Sequence, residues 1–258
     1  MPMLPAERQR AILQHLNERG SIRVKELSRM FSVTEETVRR DLHILEMEGK
    51  LRRSHGGAVR VDDDTPAETS YLVRESEHVP EKMAIARIAL TYVEPGDSII
   101  LDASSTALHV ANALPNVPLT VLTNSLKIAL ELASKDKIEV ISTGGILRAS
   151  SLSYVGPMAE ETIERFHVNK AFLSCKGVHV DHGFTESNAL QARVKRKMAE
   201  IADTLILLAD HSKIQVRDFT KVGDVDEIDV LITDVDTSDE DVRRFEAVGV
   251  KVVRAEKD

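Results

Sequence analysis

The stretch Phe31–Ala58, FSVTEETVRRDLHILEMEGKLRRSHGGA, limits what this chain can be more than any other. Val38, Leu42 and Leu45 recur at i, i+4 and i+7, the apolar stripe of a helix that packs on one side. Arg39, Arg40 and His43 fall off that stripe and stay free to meet something else. Thr34 stands at the N-cap position, where its hydroxyl accepts from an otherwise unpaired backbone N–H, and Gly49 marks the stop. Leu51–Arg60 then reads as a tight hairpin carrying cations, with Gly56-Gly57 at its tip. A helix with an exposed arginine pair followed by a basic hairpin suits the major groove of duplex DNA and the backbone beside it.

The preceding residues supply a scaffold for that helix. Residues 5–19 predict a first helix, with Ile12, Leu13 and Leu16 inward and Gly20 as its stop. Ser21–Arg23 is a short extended link, and residues 24–31 predict a second helix with Val24, Leu27, Met30 and Phe31 on its core side. Two helices joined by only Ser32 and Val33 make a helix-turn-helix, and the hairpin makes a wing. Charge follows the same division. The whole chain is at −8, yet residues 1–61 hold 12 Lys/Arg against 8 Asp/Glu, while the remainder holds 22 against 34. A cationic head on an anionic body is the footprint of a chain whose head alone meets phosphate.

ELSRMFSVTEETVRRDLHILEMEGKLRRSHGGA resembles the N-terminal domain of the DeoR family of bacterial transcription regulators. The family pattern is V-[ST]-x-x-T-[IV]-R-R-D-L, then L-E-x-x-G, then L-x-R-x-H-G-G-A, and every fixed position is met from Val33 to Ala58. The resemblance implies a double-stranded DNA operator as partner. Thr34, Glu35, Glu36 and Thr37 then sit where base edges are read, and Arg39 and Arg40 pair with phosphates or fork onto a guanine. The competing reading is a surface ion pair of either arginine with Glu36 or Asp41. His43, Arg52, Arg53, His55, Gly56 and Gly57 complete the expected DNA-binding set.

At 258 residues, with 42% apolar and 29% charged residues, the chain has room for a second, larger domain. The expected division is a winged helix-turn-helix domain over 1–60, an acidic, polar linker over 61–70 and an α/β domain over 71–258. No apolar run reaches the roughly 18–20 residues of a membrane span. The charged N-terminus is unlike a secretory signal, and the single Cys175 suits a reducing compartment, so a cytoplasmic protein is expected.

From residue 83 apolar runs alternate with amphipathic helices. Strands are expected at 98–101, 119–122, 138–141, 171–173, 205–208 and 230–232, and helices at 83–92 and 187–202. Each strand runs into a polar loop, and in open α/β sheets ligands bind at the strands' carboxyl ends. The loops offer hydroxyls and backbone N–H groups at a helix start (Ser104, Ser105, Thr106) and amide or hydroxyl groups at Asn124 and Ser125. Gly144, Gly145 and Gly177 allow close backbone approach, Arg148, Lys176 and Lys213 bring positive charge, and Asp102, Asp181, Glu186 and Asp210 can accept from sugar hydroxyls. That mixture fits a phosphorylated sugar; neither a G-x-G-x-x-G nor a G-x-x-x-x-G-K-[ST] motif is present for a nucleotide.

LDASST, TVLTNS, STGG, LSCKGV, HGFTE, ARVKRKM and LADHSK resemble the successive motifs of the DeoR C-terminal sensor domain, which is similar to ribose-5-phosphate isomerase and CoA transferase folds. The resemblance implies a phosphorylated-sugar effector, control of a sugar-catabolic operon by repression, Lys195 turned toward the ligand, and no turnover, no catalytic residue and no cofactor. The alternative is an active sugar-phosphate isomerase with a tethered head, using Asp102, Asp181, Glu186 or Lys176. Ser104 stands where the family pattern D-x-G-[ST]-T has glycine, a departure that bears on which sugar is accepted. A homo-oligomer, dimer or tetramer, is expected because one head makes few contacts. His179, Asp181 and His182 do not have metal-ligand spacing and read as a turn, so no metal is expected. The remaining cations of the 193–197 cluster read as a solvated face, and Cys175 as a small buried side chain.

Overall fold

The computed structural model describes residues 4–19, 21–47, 50–54, 56–59 and 71–256, and the chain divides into two compact units, Met1–Arg74 and Glu75–Asp258. Gly20, Gly49, His55 and the 61–70 linker lie outside the described residues.

The first unit runs α1 (Pro5–Arg19), β1 (Ser21–Arg23), α2 (Val24–Phe31), α3 (Glu35–Met47), β2 (Arg52–Ser54) and β3 (Gly57–Val59). Ile12, Leu16, Val24, Leu27, Val38, Leu42, Leu45 and Leu51 close one apolar core, so the stripe of α3 is buried as its spacing predicts. Met30 departs from expectation: it is 39% exposed, and Phe31 is the side chain that packs against the core from that end of α2. The turn between α2 and α3 is made by Ser32 in the left-handed region (φ 53°), with the Val33 N–H donating to the Ser28 carbonyl at 3.1 Å. Ser21–Arg23 is more than a link. It pairs antiparallel with β3, giving the sheet order β1-β3-β2.

The second unit follows α4 (Tyr71–Ser76), which straddles the division, with α5 (Val79–Leu90), β4 (Ser98–Leu101), α6 (Ser105–Ala113), β5 (Leu119–Thr123), α7 (Leu126–Leu132) and β6 (Ile138–Ser142). A hairpin of β7 (Ile146–Arg148) and β8 (Ser153–Val155) and a short α8 (Pro157–Ile163) lead to β9 (Val168–Ser174), β10 (Gly177–His179), β11 (Gly183–Glu186) and α9 (Ala189–Glu200). The chain continues through β12 (Ala202–Leu208), β13 (Thr220–Gly223), β14 (Val230–Asp234), α10 (Asp239–Ala247) and β15 (Lys251–Ala255). The first helix of this unit starts at Val79 rather than 83, because Pro80 supplies a fixed φ at the opening turn.

Seven strands form one parallel sheet in the order β15-β14-β12-β9-β4-β5-β6. Strands flanked on both sides read as continuous apolar runs, and Ile99, Ile100, Leu101, Phe172, Leu173, Ile206, Leu207 and Leu231 are accordingly fully buried. The order shows where a site must fall. From β4 the chain moves outward to β5 and β6, then returns to β9 on β4's other side and builds away in the opposite direction. The carboxyl ends of β4 and β9 therefore flank the topological switch point, the place where ligands bind in open α/β sheets. A small antiparallel sheet, β10-β11-β13, stands apart from the main one.

Candidate functional site

In the first unit, the start of α3 is built by its cap. The Thr37 N–H donates to Thr34 Oγ1 at 3.2 Å, and the two hydroxyl oxygens lie 2.9 Å apart. Arg39 is held along the helix by Glu35 at 2.8 Å and Glu36 at 3.6 Å, which is the surface-pair reading for that residue. Arg40 and His43 are exposed, and Arg40 has no ion-pair partner among the described residues. Asp41 does not compete for either arginine. It is buried and takes Arg8 Nε at 2.5 Å and Nη2 at 3.2 Å, anchoring α1 to α3.

The wing is fixed to this helix by the Arg53 N–H, which donates to Glu46 at 3.0 Å and leaves the Arg53 side chain exposed; the Arg52 side chain lies outside the described residues. The two tip glycines are needed for different reasons. Gly56 sits at φ 80°, a left-handed conformation that side chains disfavour. Gly57 has an ordinary φ, but a Cβ there would come 2.2 Å from the Ile22 carbonyl oxygen of β1.

In the second unit, the switch point is organised by Asp102, directly after β4. Its carboxylate is wholly buried and accepts from the N–H of Ser104 at 3.1 Å and of Ser174 at 2.8 Å, the latter reaching across from β9. Lys195, buried on α9, places Nζ 2.9 Å from Asp102, and donates to Glu186 and the Ser174 carbonyl as well. Burial pushes the Lys195 ammonium down, but Asp102 and Glu186 outweigh it and hold its pKa above the ordinary lysine value. Lys213 donates to Ser174 Oγ at 3.1 Å and stands 3.4 Å from Asp210. Burial pushes Asp210 up; Lys213, the Ser212 hydroxyl and His78 more than reverse this and keep the carboxyl below its usual range.

The predicted residues thus divide by what they are already bonded to. Asp102, Glu186 and Lys195 are brought together as an internal ion triad rather than as free acceptors for sugar hydroxyls. Ser104 and Ser125 spend their hydroxyls capping α6 and α7, accepting from Ala107 and Ile128 N–H groups at 3.0 and 3.2 Å. Polar atoms buried with no hydrogen-bond partner among these residues include Thr106 Oγ1, Asn124 Oδ1 and Asp210 Oδ2. Ser105 is buried at the first turn of α6. Gly144 and Gly145 take φ 62° and 108°, and Gly177 lies against the Val216 carbonyl, where a Cβ would come within 2.4 Å. Lys176 is half-buried with its N–H on the Thr185 carbonyl, and Arg148 is half-buried on β7, paired in register with Ser153 of β8. His179, Asp181 and His182 form the β10–β11 turn: the Asp181 N–H donates to His179 Nδ1 at 3.1 Å and the two imidazoles stack at 4.8 Å. Every residue from Asp102 to Thr106 is at most 6% exposed, so this segment is packed over.

Sequence reasoning missed Ser174, which binds Asp102, Lys195 and Lys213 through its N–H, carbonyl and hydroxyl. It lies at a strand's last residue beside Cys175, inside the LSCKGV motif, where the neighbouring Lys176 and Gly177 drew the site reading instead. Lys195 carried a signal that was available: it falls on the same stripe of α9 as Gln191, Ala192, Val194 and Met198, all buried.

A winged helix-turn-helix unit joined to a parallel α/β unit with a polar switch point defines a DNA-binding regulator with a ligand-sensing body. Residues 8–64 match the DeoR-like helix-turn-helix domain and residues 77–235 the DeoR C terminal sensor domain. The chain belongs to the DeoR family of transcriptional regulators, and DNA is its partner. It is 52% identical to YulB of Bacillus subtilis strain 168, named an uncharacterized HTH-type transcriptional regulator, over 97% of this chain and 96% of that protein. It is 37% identical to the HTH-type transcriptional regulator GolR of Listeria innocua over 98% and 100%, and 36% identical to the HTH-type transcriptional repressor GlcR of Bacillus subtilis over 90% and 89%. Among solved structures, ribose 5-phosphate isomerase A of Methanocaldococcus jannaschii is similar at a TM-score of 0.39, with 16% identity over 52% of this chain and 53% of that one. Among the described residues no helix is long and apolar enough to cross a membrane.

Proposed function

We propose that this regulator represses a sugar-catabolic operon and that a phosphorylated sugar, bound at the switch-point crevice, controls its grip on DNA. The carrying observation is the convergence at the ends of β4, β5 and β12 of a helix N-terminus (Ser105, α6), two buried polar atoms lacking partners (Thr106 Oγ1, Asn124 Oδ1) and an ammonium (Lys213) held in place by Ser174. The phosphate is assigned to the Ser104–Thr106 backbone and Lys213, with Lys176, Arg148 and the Gly144-Gly145 and Gly177 loops around it. Asp102, Glu186 and Lys195 hold the crevice floor in register instead of touching the sugar. Because 102–106 is covered, the ligand enters by shifting the chain above it, and that shift is what reaches the head. A ligand changes an equilibrium only by its unequal affinity for the two arrangements.

On the head, Thr34, Glu35, Glu36 and Thr37 read base edges. Arg39, Arg40, His43, Arg52, Arg53, His55 and the Gly56-Gly57 tip meet phosphate and the adjoining groove. Two heads per operator require a homo-oligomer, a dimer or tetramer joined through the body, working in the cytoplasm. Turnover is not part of this reading: an isomerase needs a free carboxylate base, and Asp102 and Glu186 are both committed to Lys195.

The test is operator binding by fluorescence anisotropy across a panel of aldose, ketose and hexitol phosphates. One member should weaken binding at least several-fold and raise the melting temperature. A phosphosugar that binds the body and leaves DNA affinity unchanged would sink the proposed control. Interconversion of an aldose and ketose phosphate, abolished in Glu186→Gln, would instead establish an enzyme.

A further inference from the structure

We propose a divalent-cation site of zinc type formed by His211, Asp234 and Asp236, with His78 as its fourth ligand. The assignment stands apart from the sugar-phosphate reading and needs no effector.

Asp234, at the end of β14, is wholly buried, and its carboxylate is oriented by the N–H groups of His211 at 2.8 Å and Asp236 at 2.9 Å. His211 Nδ1 lies 3.0 Å from Asp234 Oδ1 and 3.9 Å from Asp236 Oδ2. One ligand atom from each of the three residues falls within 4.8 Å of the others. With Zn–N and Zn–O bonds of about 2.0–2.2 Å, neighbouring donor atoms are roughly 3.0–3.6 Å apart, so a small swing of the half-exposed Asp236 closes the set. His78 enters from the start of α5 with its ring centre 5.7 Å from that of His211 and the planes at 84°. Two imidazoles on one ion of those bond lengths bring their ring centres roughly 5–6 Å apart.

Charge points the same way. Asp210 is 1% exposed, its Oδ2 accepts no hydrogen bond, and its field acts on His78. Three carboxylates, Asp210, Asp234 and Asp236, thus gather around two imidazoles and one ammonium, Lys213. A divalent ion supplies the balancing charge, and imidazole mixed with carboxylate favours zinc over magnesium or calcium. The backbone N–H groups on Asp234 provide the outer-shell bonds that hold a ligand in place. When bound, the ion ties the first turn of α5 to the ends of β12 and β14.

Chelator-treated full-length protein is titrated with ZnCl2 against a competing chromophoric indicator, and separately with Co2+ by visible absorption. A single saturable equivalent is expected, with Co2+ d–d bands. His211→Gln, Asp236→Asn and His78→Gln should each weaken Zn2+ binding by about tenfold or more. His78 and Asp236 are exposed or half-exposed, so those two variants keep their fold, checked by circular dichroism. Absence of saturable Zn2+ binding, or an affinity unchanged in any of the three variants, overturns the site and leaves His211–Asp234 as a hydrogen bond holding a turn.

Discussion

Lys195 Nζ stands 2.9 Å from Asp102 Oδ2, although one residue lies on α9 and the other closes β4. Both are buried, and Glu186 completes the group. Removing one partner from a buried ion pair strands the other charge, which typically destabilises by about 3–5 kcal/mol. Lys195→Met should therefore lower the urea midpoint of the second unit clearly, before any ligand is added. A variant with wild-type stability and altered ligand affinity would make Lys195 a direct contact instead.

Cys175 is predicted to be silent. Burial pushes its thiol up to about 12; Lys213 and Lys195 pull the other way without reversing it. The native protein should react with a chromogenic disulfide at pH 8 only as fast as it unfolds. The sign for stability also follows. Between the ordinary 9.0 and about 12 the unfolded thiol ionises while the folded one does not, so this group removes stability as pH rises through that window. Cys175→Ala should flatten the alkaline limb of a stability–pH curve; an unchanged limb would contradict the burial argument.

The wing glycines make a contrast measurable in one experiment. Gly57→Ala must push β1 away from β3, an overpacking of about 1–3 kcal/mol or more. Gly56→Ala meets no atom within 4 Å and only its φ of 80° resists, about 1–2 kcal/mol. The melting temperature should fall further for position 57. The reverse order would mean that β1 is not held against the wing.

Arg39 and Arg40 are adjacent, yet among the described residues only Arg39 is held in ion pairs. Arg40→Ala should weaken operator binding and reduce the slope of log K against log salt by about 0.9, the signature of one lost phosphate contact. A slope unchanged in this variant, with affinity lost only on the cognate sequence, would reassign Arg40 to base reading.

Much of this architecture could be read from residue order. The α3 stripe of Val38, Leu42 and Leu45 and the Gly56-Gly57 tip are local features, set by helix period and turn chemistry. The apolar runs of β4, β12 and β14 announce buried parallel strands. The antiparallel sheet β10-β11-β13 could not be seen this way, since Thr220–Gly223 lacks alternation and finds Phe184–Glu186 only through the tertiary fold. The same holds within the candidate site. Hydroxyls at 104 and 125 look available in the sequence, but helix ends claim them first, because an orphan N–H is the nearer partner. His211 and Asp234 lie on different strand ends, so no ligand spacing could have paired them.

The proposed crevice lies where two half-sheets begin and grow apart, and on one side it reaches the Gly144-Gly145 turn after the edge strand β6. Strands gained or lost beyond β6 or β15 would leave its walls as they are. What the proposed pocket accepts can therefore be rewritten in the short connections after β4, β5, β6, β9 and β12. Divergence of metabolite preference among chains of this layout should be confined to those few turns, while their sheets stay interchangeable.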